Sequence, residues 1–252
     1  MPQKTRITTH YIQVGDQQVR YQVAGEGEPI ILVHGLSAST LWWRRNVLNL
    51  AQHYCVYLVD LPGFGSMRFP RGRFVLTNAA SWLLSWMEAV GLKRAHLVGH
   101  SMGGYICMWI AAHHPEVVTR LVLVAPAVMP QVRNVSGYFV PLLAAMRHMP
   151  LSFFPILSFD ALRAGPLTLL RAIQDLLILD VRKEMNAITA PTLLVWGEND
   201  TLVPPSLGYV LCKEIAHARL IVLKKAAHVC MYDRPREFDA AVLAFLRGEG
   251  SE

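Results

Sequence analysis

Six short apolar runs recur along the chain, each followed by turn residues: PIILVHG (29–35), CVYLVDLPG (55–63), HLVGHS (96–101), RLVLVAP (120–126), TLLVWGEND (192–200) and ARLIVLKKAAH (218–228). Their Val, Ile and Leu content is continuous rather than alternating. Strands buried on both faces of a parallel sheet read this way. Stretches of helical character lie between most of them, over about 77–90, 102–114, 205–216 and 235–247, the last opening on Pro235, a residue suited to a first helical position. Two further β-rich runs, 7–14 and 18–24, flank Gly15-Asp16, a hairpin signal. The alternation predicts an α/β fold: a mostly parallel, eight-stranded sheet with helices on both faces.

One interval breaks the alternation. Between about 125 and 192 no strand pattern is visible, and the residues are rich in Leu, Pro, Phe and Met, with Arg133, Arg147, Arg163 and Arg171 among them. A structureless loop of that length is improbable in a compact domain. The expected organisation is a core domain of residues 1–128 and 188–252, with 129–187 inserted as a small helical cap, or lid.

Composition sets the class. The chain is 53% hydrophobic and 17% charged, which excludes disorder and permits a large core. The net charge of +6 is scattered and not interleaved with aromatics, so a nucleic-acid partner is not expected. The cysteines at 55, 107, 212 and 230 form no C-x-x-C pair and stand mostly in apolar contexts, the pattern of reduced thiols. The N-terminal residues MPQKTRITTHYIQVGDQQ lack the apolar run of a signal peptide, so a cytoplasmic location is expected. The longest greasy stretch, 138–159, is interrupted by three prolines, Arg147 and His148; it makes a poor membrane span, and membrane association is not expected.

Residues 97–105, LVGHSMGGY, place one hydroxyl at the seam of a strand and a helix. A serine becomes a useful nucleophile when a base takes its proton and a sharp strand-to-helix turn exposes it. The flanking chains then pass close by, which accounts for Gly99 and Gly103. Among ten histidines, His228 ends the last strand run, where a base for Ser101 belongs. Asp200 follows the preceding run and is the candidate to orient that base; Glu198, two residues earlier, is the rival. The Met102 N–H and the Leu36 N–H, in HGLS (34–37), are the candidate oxyanion donors, Gly35 letting that loop approach and His34 bracing it. No histidine has ligand spacing with acids and no phosphate loop is present, so no metal and no cofactor are expected.

Together HGLS, LVDLPGFGSM, LVGHSMGGY, LVWGENDTLVP and AAHVCMYDRPREF, in this order, resemble the α/β-hydrolase superfamily in its small lidded serine esterase branch. The resemblance implies a Ser101–His228–Asp200 triad, with Asp60 structural. Serine at 101 departs from the aspartate nucleophile of haloalkane dehalogenases and epoxide hydrolases, and the G-G-S-W-G elbow of prolyl aminopeptidases is absent. Ala227 stands where the family commonly has glycine, and Asp233 where it often has glutamate. The expected activity is hydrolysis of short- to medium-chain carboxylic esters through an acyl-enzyme, with a small-molecule ester as substrate. Gly35, His100, Val203 and Val229, with lid residues Phe139, Met146, Phe153 and Phe154, are the candidate substrate-binding residues. The lid arginines resemble those of pimeloyl-carrier-protein methyl ester esterases, whose partner is acidic. Two alternatives stay open: a carbon–carbon bond hydrolase of ring-cleavage dienones, and a ligand-binding receptor with low turnover.

Overall fold

A computed structural model describes residues 6–67, 76–128, 137, 139–178 and 181–249. The strands are β1 (Thr8–Val14), β2 (Gln17–Ala24), β3 (Pro29–Val33), β4 (Cys55–Val59), β5 (Ala95–His100), β6 (Val118–Val124), β7 (Thr192–Gly197) and β8 (Ala218–Leu223). They form an eight-stranded sheet in the order β1-β2-β4-β3-β5-β6-β7-β8. The β1–β2 and β2–β4 pairs are antiparallel and the rest parallel. The helices are α1 (Val47–Leu50), α2 (Leu76–Val90), α3 (Met102–His113), α4 (Phe139–His148), α5 (Phe154–Ala164), α6 (Pro166–Leu177), α7 (Arg182–Ala187), α8 (Pro205–Glu214), α9 (Cys230–Asp233) and α10 (Pro235–Leu246).

The continuous apolar runs have the origin expected of them. Alternate residues of one strand enter different cores. Ile31, Val33, Leu97, Leu121 and Leu123 pack with α2 and α3 on one face. Ile30, Leu32, Val98, Val122 and Val124 pack with α1 and α10 on the other. A strand covered on both sides leaves little room for polar side chains, and the few buried there, His96, His100 and Thr192, are hydrogen-bonded.

Strand order places the site. The chain runs from β3 outward to β4, then crosses back to β5 on the opposite side of β3, with Val33 paired to Gly99. At such a reversal the loops leaving two neighbouring strands diverge and open a crevice at their C-terminal ends. The loops after β3 and β5 carry Leu36 and Ser101.

Helices α4 to α7 and a 3-10 turn, Leu151–Phe153, occupy the interval between β6 and β7. Gly165 (φ +75°) separates α5 from α6, and the chain direction turns by 94° there. Ala172 and Leu176 of α6 join the core on one face, Phe153 and Ile156 the core on the other. Helix α7 rests on α3, burying Met185. Among the described residues no single helix is long and apolar enough to cross a membrane.

Candidate active site

Ser101 adopts φ +52° and ψ −117°, between the end of β5 and the first turn of α3. A non-glycine residue held at positive φ costs on the order of 1–2 kcal/mol. Two hydrogen bonds fix it: the Ser101 N–H donates to the Val124 carbonyl at 2.9 Å, and the Ala127 N–H donates to the Ser101 carbonyl at 2.9 Å. The glycines answer to close backbone approach. A Cβ on Gly99 would strike the Gly103 carbonyl, and one on Gly103 the carbonyl oxygens of Val33 and His34. The turn therefore packs directly onto the loop after β3.

That loop is braced from inside. His34, fully buried, presents Nδ1 to the Gly35 carbonyl at 2.8 Å and accepts the Leu61 N–H on Nε2 at 2.9 Å. Both contacts suit the neutral ring, and burial lowers its pKa. Asp60 accepts from the N–H groups of Thr40 and Ser66, each at 2.7 Å, and takes no part in the histidine–carboxylate pair below. No hydrogen bond in the turns and loops described uses the Leu36 or Met102 N–H. Met102 opens α3, so its N–H has no acceptor within the helix.

His228 and Asp200 meet. His228 Nδ1 lies 2.8 Å from Asp200 Oδ2, with the carboxylate fully shielded from solvent. A carboxylate only accepts, so Nδ1 carries the proton and Nε2 of the neutral ring is left with its lone pair. The other carboxylate oxygen accepts from Leu202 N–H at 2.9 Å and Val203 N–H at 3.0 Å, which fixes its rotamer. Glu198 points elsewhere: it accepts the Lys225 N–H at 3.1 Å. The histidine loop is held by Asp233, which accepts the Ala227 N–H at 2.8 Å. Ala227 is not among the residues with positive φ, so alanine sits there without backbone strain.

Ser101, His100 and His228 line one end of a cavity of about 380 Å³. The rest of the wall is almost wholly apolar, and none of the described residues lining it is an acid, a lysine or an arginine. The α/β hydrolase fold family matches residues 28–180 and 158–235, most of the chain. The chain belongs to the α/β hydrolase fold family. The hydrolase is 30% identical to 2-hydroxy-6-oxo-6-phenylhexa-2,4-dienoate hydrolase of Comamonas testosteroni, covering 93% of each chain. It is 29% identical to pimeloyl-[acyl-carrier protein] methyl ester esterase of Aeromonas hydrophila subsp. hydrophila, over 88% of this chain and 96% of that one. Among solved structures, a serine hydrolase involved in carbazole degradation superposes with a TM-score of 0.83 at 25% identity, over 96% of this chain and 99% of the other.

The candidate binding residues of the hydrolase divide. Leu36, His100, Met146, Val203 and Val229 line the cavity. Gly35 lies beneath it, with open room for no side chain between His100 and Ser101. Phe153 and Phe154 do not line it. Phe153 is fully buried, edge-on to Trp42 at 4.8 Å and tilted against Tyr232 at 4.7 Å, so it packs the 3-10 turn Leu151–Phe153 onto the core. Phe154, half-buried, opens α5. The side chain of Phe139 and all of Arg133 lie outside the described residues. Arg147 and Arg163 are exposed, and Arg163 stacks over the Phe159 ring at 5.3 Å. Residues without a motif supply much of the wall: Trp42, Leu157, Leu169, Ile173 and Leu176. The last three recur at the i, i+4, i+7 spacing of one helix face, a periodicity visible in the sequence.

Proposed function

We propose that the hydrolase is a carboxylesterase acting on esters whose acyl and alcohol parts are uncharged. The observation that carries this reading is the cavity: an apolar wall with no ionic side chain among the described residues, shared by a serine turn and the histidine of a histidine–carboxylate pair. In the proposed reaction His228 Nε2 takes the Ser101 hydroxyl proton as Oγ attacks the ester carbonyl. Asp200 keeps the imidazole in the required tautomer and stabilises its cation. The Leu36 and Met102 N–H groups receive the oxyanion, and the positive end of α3 adds to the field there. His228 returns the proton to the leaving alcohol. Water, deprotonated by the same ring, then releases the acid from the acyl-serine. No step needs a metal or a cofactor.

Residues 129–187 act as the cap in this reading, since Met146 of α4, Leu157 of α5 and Leu169 of α6 cover the cavity. Free thiols at all four cysteines fit the cytoplasmic location we propose.

Carbon–carbon bond hydrolysis of a ring-cleavage dienoate asks more of a pocket. Such a substrate carries a carboxylate, and burying that charge without a cationic partner costs several kcal/mol. The test is turnover on three matched compounds: a neutral methyl ester, the same ester with a terminal carboxylate, and a 6-oxo-dienoate. The reading predicts the order neutral ester, then charged ester by a factor of at least about 10², with the dienoate slowest. Faster cleavage of the dienoate overturns it. Tight binding of all three without turnover points instead to a receptor.

A further inference from the structure

Asp160 lies on α5 in the proposed cap and is 1% exposed, although it neither lines the cavity nor touches the proposed triad. Its Oδ2 accepts the Ser39 hydroxyl at 2.8 Å and the Trp42 Nε1–H at 3.0 Å. Its Oδ1 is buried and has no hydrogen-bond partner among the described residues. A carboxylate in that position is expensive: an apolar side chain would close the same gap without desolvating a charge. The cost falls at one particular joint. Ser39 caps the 3-10 turn Thr40–Trp43, and its Oγ also accepts the Leu41 N–H at 3.3 Å. Three residues before it stands Leu36. Trp42 lines the cavity and leans on His100, with ring centroids 5.6 Å apart. One carboxylate thus grips the far end of the loop that carries the proposed oxyanion donor and the turn that follows it, and it grips them from α5.

Resting on the carboxylesterase reading above, we propose that Asp160 is a positioning residue: through Ser39 and Trp42 it couples the seating of α5 over the cavity to the placement of the Leu36 N–H and of His100. The charged form grips harder, because hydrogen bonds to an ionised acceptor are about twice as strong as neutral ones. Burial pushes the Asp160 carboxyl up to about 6, Asp60 on the loop after β4 adds in the same direction, and Ser39, Trp42 and Arg163 oppose. Protonation near that pH weakens the joint.

Two measurements test this, one without substrate. Amide hydrogen exchange is followed in the wild type, Asp160→Leu, Asp160→Asn and Ser39→Ala. Asp160→Leu and Ser39→Ala are expected to raise exchange together in α5 and in residues 36–43, leaving β6 unchanged; Asp160→Asn, which keeps an acceptor oxygen without the charge, is expected to fall between these variants and the wild type. Faster exchange confined to α5 overturns the coupling, whether or not esters are turned over. The second is kcat and KM across pH 5–8 with a p-nitrophenyl ester. Asp160→Leu and Ser39→Ala should lower kcat at least tenfold with KM changed less than threefold. The acid limb of log kcat near pH 6 should be steeper in the wild type than in Asp160→Asn, which has no carboxyl to protonate there. Equal slopes in both, or a kcat loss that only tracks a fall in Tm, overturn the proposal. A wild type inert toward every ester instead defeats the carboxylesterase reading, and the exchange data still decide the coupling.

Discussion

His100 Nε2 donates to the His228 carbonyl oxygen at 2.9 Å, so the residue before the proposed nucleophile holds the loop that carries the proposed base. The two rings lie 4.8 Å apart by centroid. Burial, then the neighbouring His228, lowers the His100 pKa well below its usual range, which keeps the ring neutral and leaves one lone pair on Nδ1. His100→Ala removes this tie. Misplacement of a reacting group by about 1 Å can cost on the order of 10²-fold. We expect kcat for His100→Ala to fall by about 10–100-fold with KM little changed, and His100→Gln, which can still donate, to recover most of it. Steady-state ester kinetics of the two variants decide the matter; equal losses would show that the ring's bulk, not its donor, matters.

The carboxylates after β7 separate cleanly. Asp200 bonds to His228, and Glu198 to the Lys225 backbone. Asp200→Asn should therefore lower kcat by about 10⁴, the scale of losing the partner that sets the histidine tautomer. Glu198→Gln should stay within a few-fold of wild type. Comparable losses in the two variants would reassign the acid.

Gly103 has carbonyl oxygens where its Cβ would go. These belong to the backbone at the end of β3 and cannot rotate away. Gly103→Ala is expected to destabilise the fold by about 1–3 kcal/mol, the usual range for overpacking. It should also lower kcat by displacing the Leu36 loop. Urea unfolding and kinetics on the same preparation test both halves; an unaltered midpoint would mean that the loop yields.

Asp239 on α10 accepts from Asn46 Nδ2 at 2.8 Å and Asn49 Nδ2 at 3.0 Å, joining α10 to α1. Burial pushes its carboxyl up to about 6, against those two hydrogen bonds. A carboxyl raised on folding adds stability below its unfolded pKa, near 4, and loses it as pH climbs through about 6. The Tm of Asp239→Asn relative to wild type should accordingly rise between pH 5 and pH 8, by a few degrees for about 1 kcal/mol. A constant difference across that range would mean Asp239 is already ionised at the low end.

What the sequence disclosed followed from periodicity and local chain geometry. The strand runs begin, and the four expected helices begin and end, within two residues of their expected bounds, because each is specified by its own residues: α10 spans Pro235–Leu246 against an expected 235–247. The Asp200–His228 contact and the Ser101 turn were legible because turns at the ends of parallel strands are short and leave few places for a side chain to point. The cap was harder. Phe153 and Phe154 look equivalent in sequence, yet successive side chains on a helical turn diverge by about 100°, and Phe153 faces the core. Asp160 reads as an ordinary exposed helix acid; its burial depends on Ser39 and Trp42, 121 and 118 residues away. Leu169, Ile173 and Leu176 recur at helix-face spacing and were legible from that periodicity.

The most direct test of the account is to treat the protein with a p-nitrophenyl alkylphosphonate and locate the adduct by peptide mass spectrometry, following p-nitrophenyl butyrate hydrolysis in the same samples. The account predicts stoichiometric labelling of Ser101 with parallel loss of turnover. It also predicts a Ser101→Ala variant that takes no label and is slower by about 10⁴–10⁶. Label on another residue, or full turnover in Ser101→Ala, would contradict it.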